Sequence, residues 1–208
     1  MPGCQRPAII TREEWGCPDG ATTSHGEPSY TLVTHLVIHH TATSNLAPNP
    51  LAVVRSIWNF HVFANGWSDI GYNYLIDRTG NIYEGRAGGN DVIGAHFICA
   101  NEGTCGIALI GTFVAKGPSP DARASSALEE LIAWLCDRNS IDPLSSKFHA
   151  PSQLDLASIC GHLDGNAAST ESGTCPKNTL CPGQNLYALL PEIRNSVSNR
   201  VRVPDDYR

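Results

Sequence analysis

Thr31–Thr43 reads TLVTHLVIHHTAT, and within it Val33, Leu36, Val37 and Ile38 form an apolar, β-branched-rich run of strand length. The run ends in His39-His40, followed by small polar residues. A buried strand that delivers histidines at its end holds a metal ligand on a rigid element. The same pattern also fits two strand-end histidines with ordinary hydrogen bonds. A second stretch far downstream, with Gly161-His162 and Cys181-Pro182-Gly183, favours the first reading. Neutral imidazole and thiolate are zinc donors, and three of them leave a fourth tetrahedral position open for water. The spacing itself spells no short zinc signature of the C-x-x-C or H-E-x-x-H kind.

Outward from this strand, Asn49-Pro50 opens a helix, with Pro at its first position. Val53, Val54, Ile57, Trp58 and His61 recur at helical spacing, and Asn65-Gly66 is the stop. Ile70–Asp77 reads as a strand, Arg78–Asn81 as a hairpin turn and Ile82–Gly85 as the return strand. Gly106–Gly111 is another buried strand. Ser119-Pro120 starts a second helix whose stripe is Ala124, Leu128, Leu131, Ile132 and Leu135. Ile159–His162 is the last strand end, and Leu186–Val197 a closing helix. Strands alternate with helices while hairpins also occur. The expected fold is therefore α/β: a single domain with a mixed central β-sheet flanked by helices. Residues 1–30 read as an N-terminal arm packed on the domain, 31–197 as the domain proper and 198–208 as a charged C-terminal tail.

Composition narrows the function classes. At 208 residues the chain is long enough for a real core. Lys+Arg 14 against Asp+Glu 20 gives a net charge of −6 with no basic cluster, which disfavours a nucleic-acid partner. No apolar run approaches membrane-spanning length, so no membrane insertion is expected. The opening Met1-Pro2-Gly3-Cys4 is no charged-then-apolar leader, yet eight cysteines favour an oxidising compartment. The expectation is a secreted protein, extracellular or periplasmic, with its leader removed, and a monomer by default. By proximity in sequence, Cys4–Cys17 and Cys99–Cys105 are expected pairs. Cys136, at the edge of the second helix's stripe, is expected as a buried free thiol.

The ordered set Arg12-Glu13-Glu14-Trp15-Gly16, Val37-Ile38-His39-His40-Thr41, Gly66–Ile76 (GWSDIGYNYLI), Ile82–Arg86 (IYEGR), Gly94-Ala95-His96, Gly106–Gly111, Gly161-His162 and Cys181-Pro182-Gly183 resembles the zinc amidases related to peptidoglycan recognition proteins, phage lysozyme-type amidases included. The resemblance covers roughly residues 8–195 and implies a peptidoglycan recognition protein-like amidase fold. It implies Zn2+ held by His39, His162 and Cys181, with Tyr72 beside the zinc water and Thr179 facing the reacting carbonyl. Members without the Cys ligand bind peptidoglycan without cutting it. The presence of Cys181 and Tyr72 here implies an N-acetylmuramoyl-L-alanine amidase that hydrolyses the lactyl–L-Ala bond; the alternative is a non-catalytic peptidoglycan-binding receptor.

Two departures matter. The His162–Cys181 segment is longer than in most relatives and contains a second candidate ligand, Cys175; with Cys181 on the metal, Cys175 is expected to pair with Cys160. Small residues at Ala87-Gly88-Gly89 stand where many animal relatives carry a Trp, leaving the stem-peptide preference open. Arg86, which can grip a carboxylate in bidentate fashion, His96 and Trp67 are candidate substrate-binding residues, each with a structural reading beside it. His40, His61 and His35 are read as packing or core histidines, with a supporting role beside the metal ligands as the other reading of His35.

Overall fold

The structure is a computed structural model that describes residues 3–18, 27–97, 99–170, 173–174 and 178–201. Its centre is β2 (His35–His40), six consecutive buried residues. β2 lies between two parallel neighbours, β5 (Thr104–Leu109) and β8 (Ile159–Gly161). β3 (Tyr74–Ile76) runs parallel to β5, and β4 (Ile82–Glu84) returns antiparallel to β3. β1 (Ile9–Ile10) adds a parallel edge strand to β4, so the six-stranded order is β1-β4-β3-β5-β2-β8. This is the mixed sheet flanked by helices that the alternation of elements predicts.

The pleat divides the sheet's side chains between two layers. Leu36 and Ile38 join Ile76, Ile107 and Leu109 on the face covered by α2 (Ala122–Asn139) and α4 (Leu190–Ser198). That packing uses Leu128, Leu131, Ile132 and Leu135 of α2 and Ile193 and Val197 of α4. On the opposite face Leu75, Tyr83 and Ala108 pack with Trp15 and with Val54, Ile57 and Trp58 of α1 (Pro50–Asn59). Asn49 caps α1, its side chain accepting from the Ala52 amide at 3.1 Å, and Pro50 occupies the first turn as expected. A short closing pair, α3 (Gln184–Tyr187) and α4, replaces the single helix expected from Leu186.

Several expectations need correction. The strand expected from Ile70 begins only at Tyr74, because Gly71–Asn73 bonds outward: the Asn73 side chain donates to Val92 O and accepts from Gly106 N. Helix α2 starts at Ala122, not Pro120, with Asp121 as its extended N-cap residue. A hairpin, β6 (Ser146–His149) and β7 (Leu154–Ala157), was not anticipated in the polar stretch before β8. None of the three expected disulfides forms. Cys4 is a free thiol donating to the Arg200 carbonyl, and Cys105 is a free thiol buried in the α2-side core. Cys160 is free and buried beneath Phe97 and Leu156, whereas Cys99 is disulfide-bonded. Cys175 lies outside the described residues. Cys136 is the buried free thiol expected.

Candidate metal centre

Strand register builds the site. Ile38 pairs with Gly161, so the residue after each, His39 and His162, stand side by side at the strand ends, their rings 4.6 Å apart. Cys181 arrives from the chain's far end, and its carbonyl accepts from the Leu163 amide at 2.8 Å, tying the two downstream ligand segments together. The Cys181 Sγ lies 3.6 Å from His39 Nδ1 and accepts from the His40 amide at 3.3 Å. One donor atom each from His39, His162 and Cys181 lies within 4.8 Å of the others. Gly183 follows with φ +86°, and a Cβ there would collide with the Phe113 carbonyl, so only glycine closes this turn.

Burial sets the protonation of the donors. It pushes His162 down to about 4 and His39 well below the usual imidazole range, leaving both neutral with lone pairs available at pH 7. It pushes the Cys181 thiol up to about 12, against the pull of the His40 amide. A site of two neutral imidazoles and a thiol that only a cation would ionise fits zinc, whose thiolate and imidazole bonds are ~2.3 and ~2.0 Å. Tyr72 lies against the cluster with its ring 5.2 Å from that of His39. Its phenol is raised above its ordinary range by burial and by Cys181, so it stays a proton donor.

His40, next in sequence to His39, faces the other way: its Nδ1 accepts from the Phe113 amide and its ring packs against Phe113. Thr179 is held by Asn166, which contacts its amide and carbonyl, and the Thr179 hydroxyl accepts from the Cys181 amide at 3.1 Å. Trp67 is half-buried and lies on His61, ring centres 4.7 Å apart. His61 accepts from the Gly71 amide at 3.0 Å and sits 5.5 Å from Tyr72, bordering the site from the π-helical turn Phe60–Ala64. Arg86 donates to Ser68 Oγ at 2.9 Å and to the Ile70 carbonyl at 3.1 Å, so its guanidinium braces the loop that carries Tyr72. His96 stands behind His39, 5% exposed, with Nδ1 3.0 Å from His39 Nε2.

Sequence reasoning missed Asp69. Its carboxylate meets the Arg12 guanidinium at 3.1 Å and accepts from the Ile70 and Ala87 amides. The only signal for it was the joint presence of the Arg12 and Asp69 motifs in one resemblance.

A family model described as N-acetylmuramoyl-L-alanine amidase matches residues 29–184, three quarters of the chain. The chain belongs to this amidase and peptidoglycan-recognition-protein family. Among its relatives, peptidoglycan-recognition protein SD of Drosophila simulans is 31% identical over 191 residues, covering 90% of this chain and 86% of that protein. Peptidoglycan-recognition protein SC1a of Drosophila melanogaster is 38% identical over 107 residues, half of this chain, and the match spans only 55% of that relative's length. Among solved structures, peptidoglycan recognition protein LE in complex with tracheal cytotoxin, a monomeric diaminopimelic acid-type peptidoglycan, superposes with a TM-score of 0.67. It is 29% identical and covers 89% of this chain and 93% of that one. No described helix is long and apolar enough to cross a membrane.

Proposed function

We propose that this chain is a zinc-dependent N-acetylmuramoyl-L-alanine amidase that hydrolyses the lactyl–L-Ala amide of peptidoglycan. The observation that carries the reading is the convergence of His39, His162 and Cys181 on one point with Tyr72 against them. Zinc, when bound, polarises the amide carbonyl and acidifies a water at neutral pH. The chain's residues do the rest. His39, His162 and Cys181 hold the ion; the buried Tyr72 hydroxyl donates a hydrogen bond to oxygen that gains charge in the transition state. Thr179 spends its oxygen lone pair on the Cys181 amide, leaving its proton for the same task. Trp67 offers an indole face beside His61 for a sugar ring, while Arg86 braces the loop that carries Tyr72 and His96 backs His39. A secreted protein, extracellular or periplasmic, acting as a monomer, is consistent with this role.

The relatives carry the name of recognition proteins, and one is seen with a peptidoglycan fragment, which makes a binding-only receptor the alternative. Mass spectrometry of peptidoglycan incubated with the protein, with and without a zinc chelator, separates the two. The amidase releases stem peptides with a free L-Ala amine, lost on chelation and restored by zinc. Intact muropeptides in both samples, with muropeptide binding retained, would establish the receptor instead.

A further inference from the structure

His96 has both ring nitrogens engaged, and for a neutral imidazole the chain of bonds has one direction. The Asn101 carbonyl can only accept, so at 2.7 Å the single proton of the Thr104 hydroxyl goes to it. Thr104 Oγ1 therefore accepts from His96 Nε2, 3.3 Å away, and that nitrogen carries the ring proton. His96 Nδ1 is then bare and accepts, which obliges His39 Nε2, 3.0 Å away, to be the N–H donor. The remaining nitrogen of His39, Nδ1, is the lone pair that faces Cys181. Thr104 is fully buried, so no water competes for these bonds.

The fold invests heavily in holding this ring. The Asn101 side chain accepts from the His96 and Phe97 amides at 2.7 and 2.8 Å, fixing the backbone on which the imidazole is mounted. Gly94 and Gly106 form its slot, since a Cβ at either would come within 2.5 Å of the ring. We infer that His96 is a positioning residue that accepts from His39 Nε2–H and so fixes His39 Nδ1 as the metal-donating atom. Its ring serves the metal centre from behind and makes no substrate contact. This rests on the reading of His39, His162 and Cys181 as a zinc site. Partners of this kind typically contribute 10–100-fold in metal affinity, because they fix the ligand's tautomer and orientation.

The test is zinc affinity, measured on the metal-free protein by competition with a chromophoric chelator. His96→Leu is expected to weaken binding about 10–100-fold. His96→Asn places an amide oxygen near the former Nδ1 and is expected to recover most of it. Thr104→Val, which removes the hydroxyl anchor at constant shape, is expected to give a smaller loss. Nitrogen-15 NMR of the zinc-loaded protein is expected to show His39 protonated at Nε2. Wild-type affinity in folded His96→Leu, equal losses in folded Leu and Asn variants, or a His39 metallated at Nε2 would each overturn the inference. Should His96→Leu not fold, unchanged affinity in Thr104→Val overturns it. A wild-type chain that binds no zinc removes both this inference and the zinc centre; one that binds zinc but releases no peptide removes only the amidase reading.

Discussion

His39 and His40 are neighbours on β2, and the pleat sends one to the metal cluster and the other to Phe113. On the proposed reading, residues that would hold the ion and residues that would act on substrate are told apart by separate substitutions. Cys181→Ala removes the thiolate, and both zinc binding and peptide release are expected to vanish while muropeptide binding persists. Zinc titration and the peptide-release assay read this directly; full activity in Cys181→Ala with none in Cys175→Ala would move the third ligand to Cys175. Tyr72→Phe keeps the ring against His39 and removes only the hydroxyl. Its loss should appear in kcat, on the order of 10²-fold as for one oxyanion donor, with KM little changed; a KM effect alone would make Tyr72 a binding residue. Residue type and strand-end placement only suggested His39 and His162; the grouping with Cys181 in preference to Cys175 came from the family resemblance, and the structure brings the three donor atoms together. The role of His96 was not legible in sequence, since it depends on which nitrogen meets which neighbour across β5.

At the scale of elements, the loop from Trp67 to Asn73 must be rigid for Tyr72 to keep its place, and it has no helix or strand of its own. Its rigidity comes from Asp69. That carboxylate takes the Arg12 guanidinium from the segment after β1 and the amides of Ile70 and Ala87, while Arg12 also donates to the Gly85 carbonyl. Trp15 Nε1 donates to the Glu84 carbonyl from the same segment. Asp69→Ala takes this carboxylate away from a guanidinium about nine-tenths buried, and breaking such a pair costs roughly 3–5 kcal/mol. Urea unfolding should show that loss, and zinc affinity should change far less, since no ligand is touched. A loss below about 1 kcal/mol, the range of an exposed pair, would mean the clamp is slack. The helices were readable in sequence because their stripes repeat at 3.6 residues. The β6–β7 hairpin was not: Ser146-Lys147-Phe148 is exposed on all three residues, so no apolar alternation marks it.

Across the whole molecule, the fold keeps histidines neutral inside. Apart from the metal cluster, His35, His61 and His149 are 0%, 8% and 2% exposed. Burial lowers all three, His35 and His61 to about 4; His149 adds to the effect on His35 while backbone hydrogen bonds with Lys147 and Leu156 oppose it, and Arg86 adds to the effect on His61. Glu102 opposes it at His149, and Asp69 at His61, without reversing it. Each native value lies below that of the free imidazole, ~6.5, so the unfolded chain takes up protons that the native chain refuses. Stability is therefore complete above about pH 6.5 and declines as the pH falls toward the native values, about 4 for His35 and His61, by up to about 1.4 kcal/mol per pH unit for each such histidine. Carboxylates such as Asp77, lowered by Tyr83, Asn81 and Thr79 against its burial, enter only at lower pH. The window from 6.5 to 5 thus isolates the imidazoles. Urea unfolding of the zinc-free protein at pH 7, 6 and 5 should show the free energy dropping across that window at constant m-value. A flat profile would mean that these histidines are already charged, or water-filled, in the native state. Added zinc should raise stability at pH 7 and lose its effect on acidification, because protons compete for His39, His162 and Cys181.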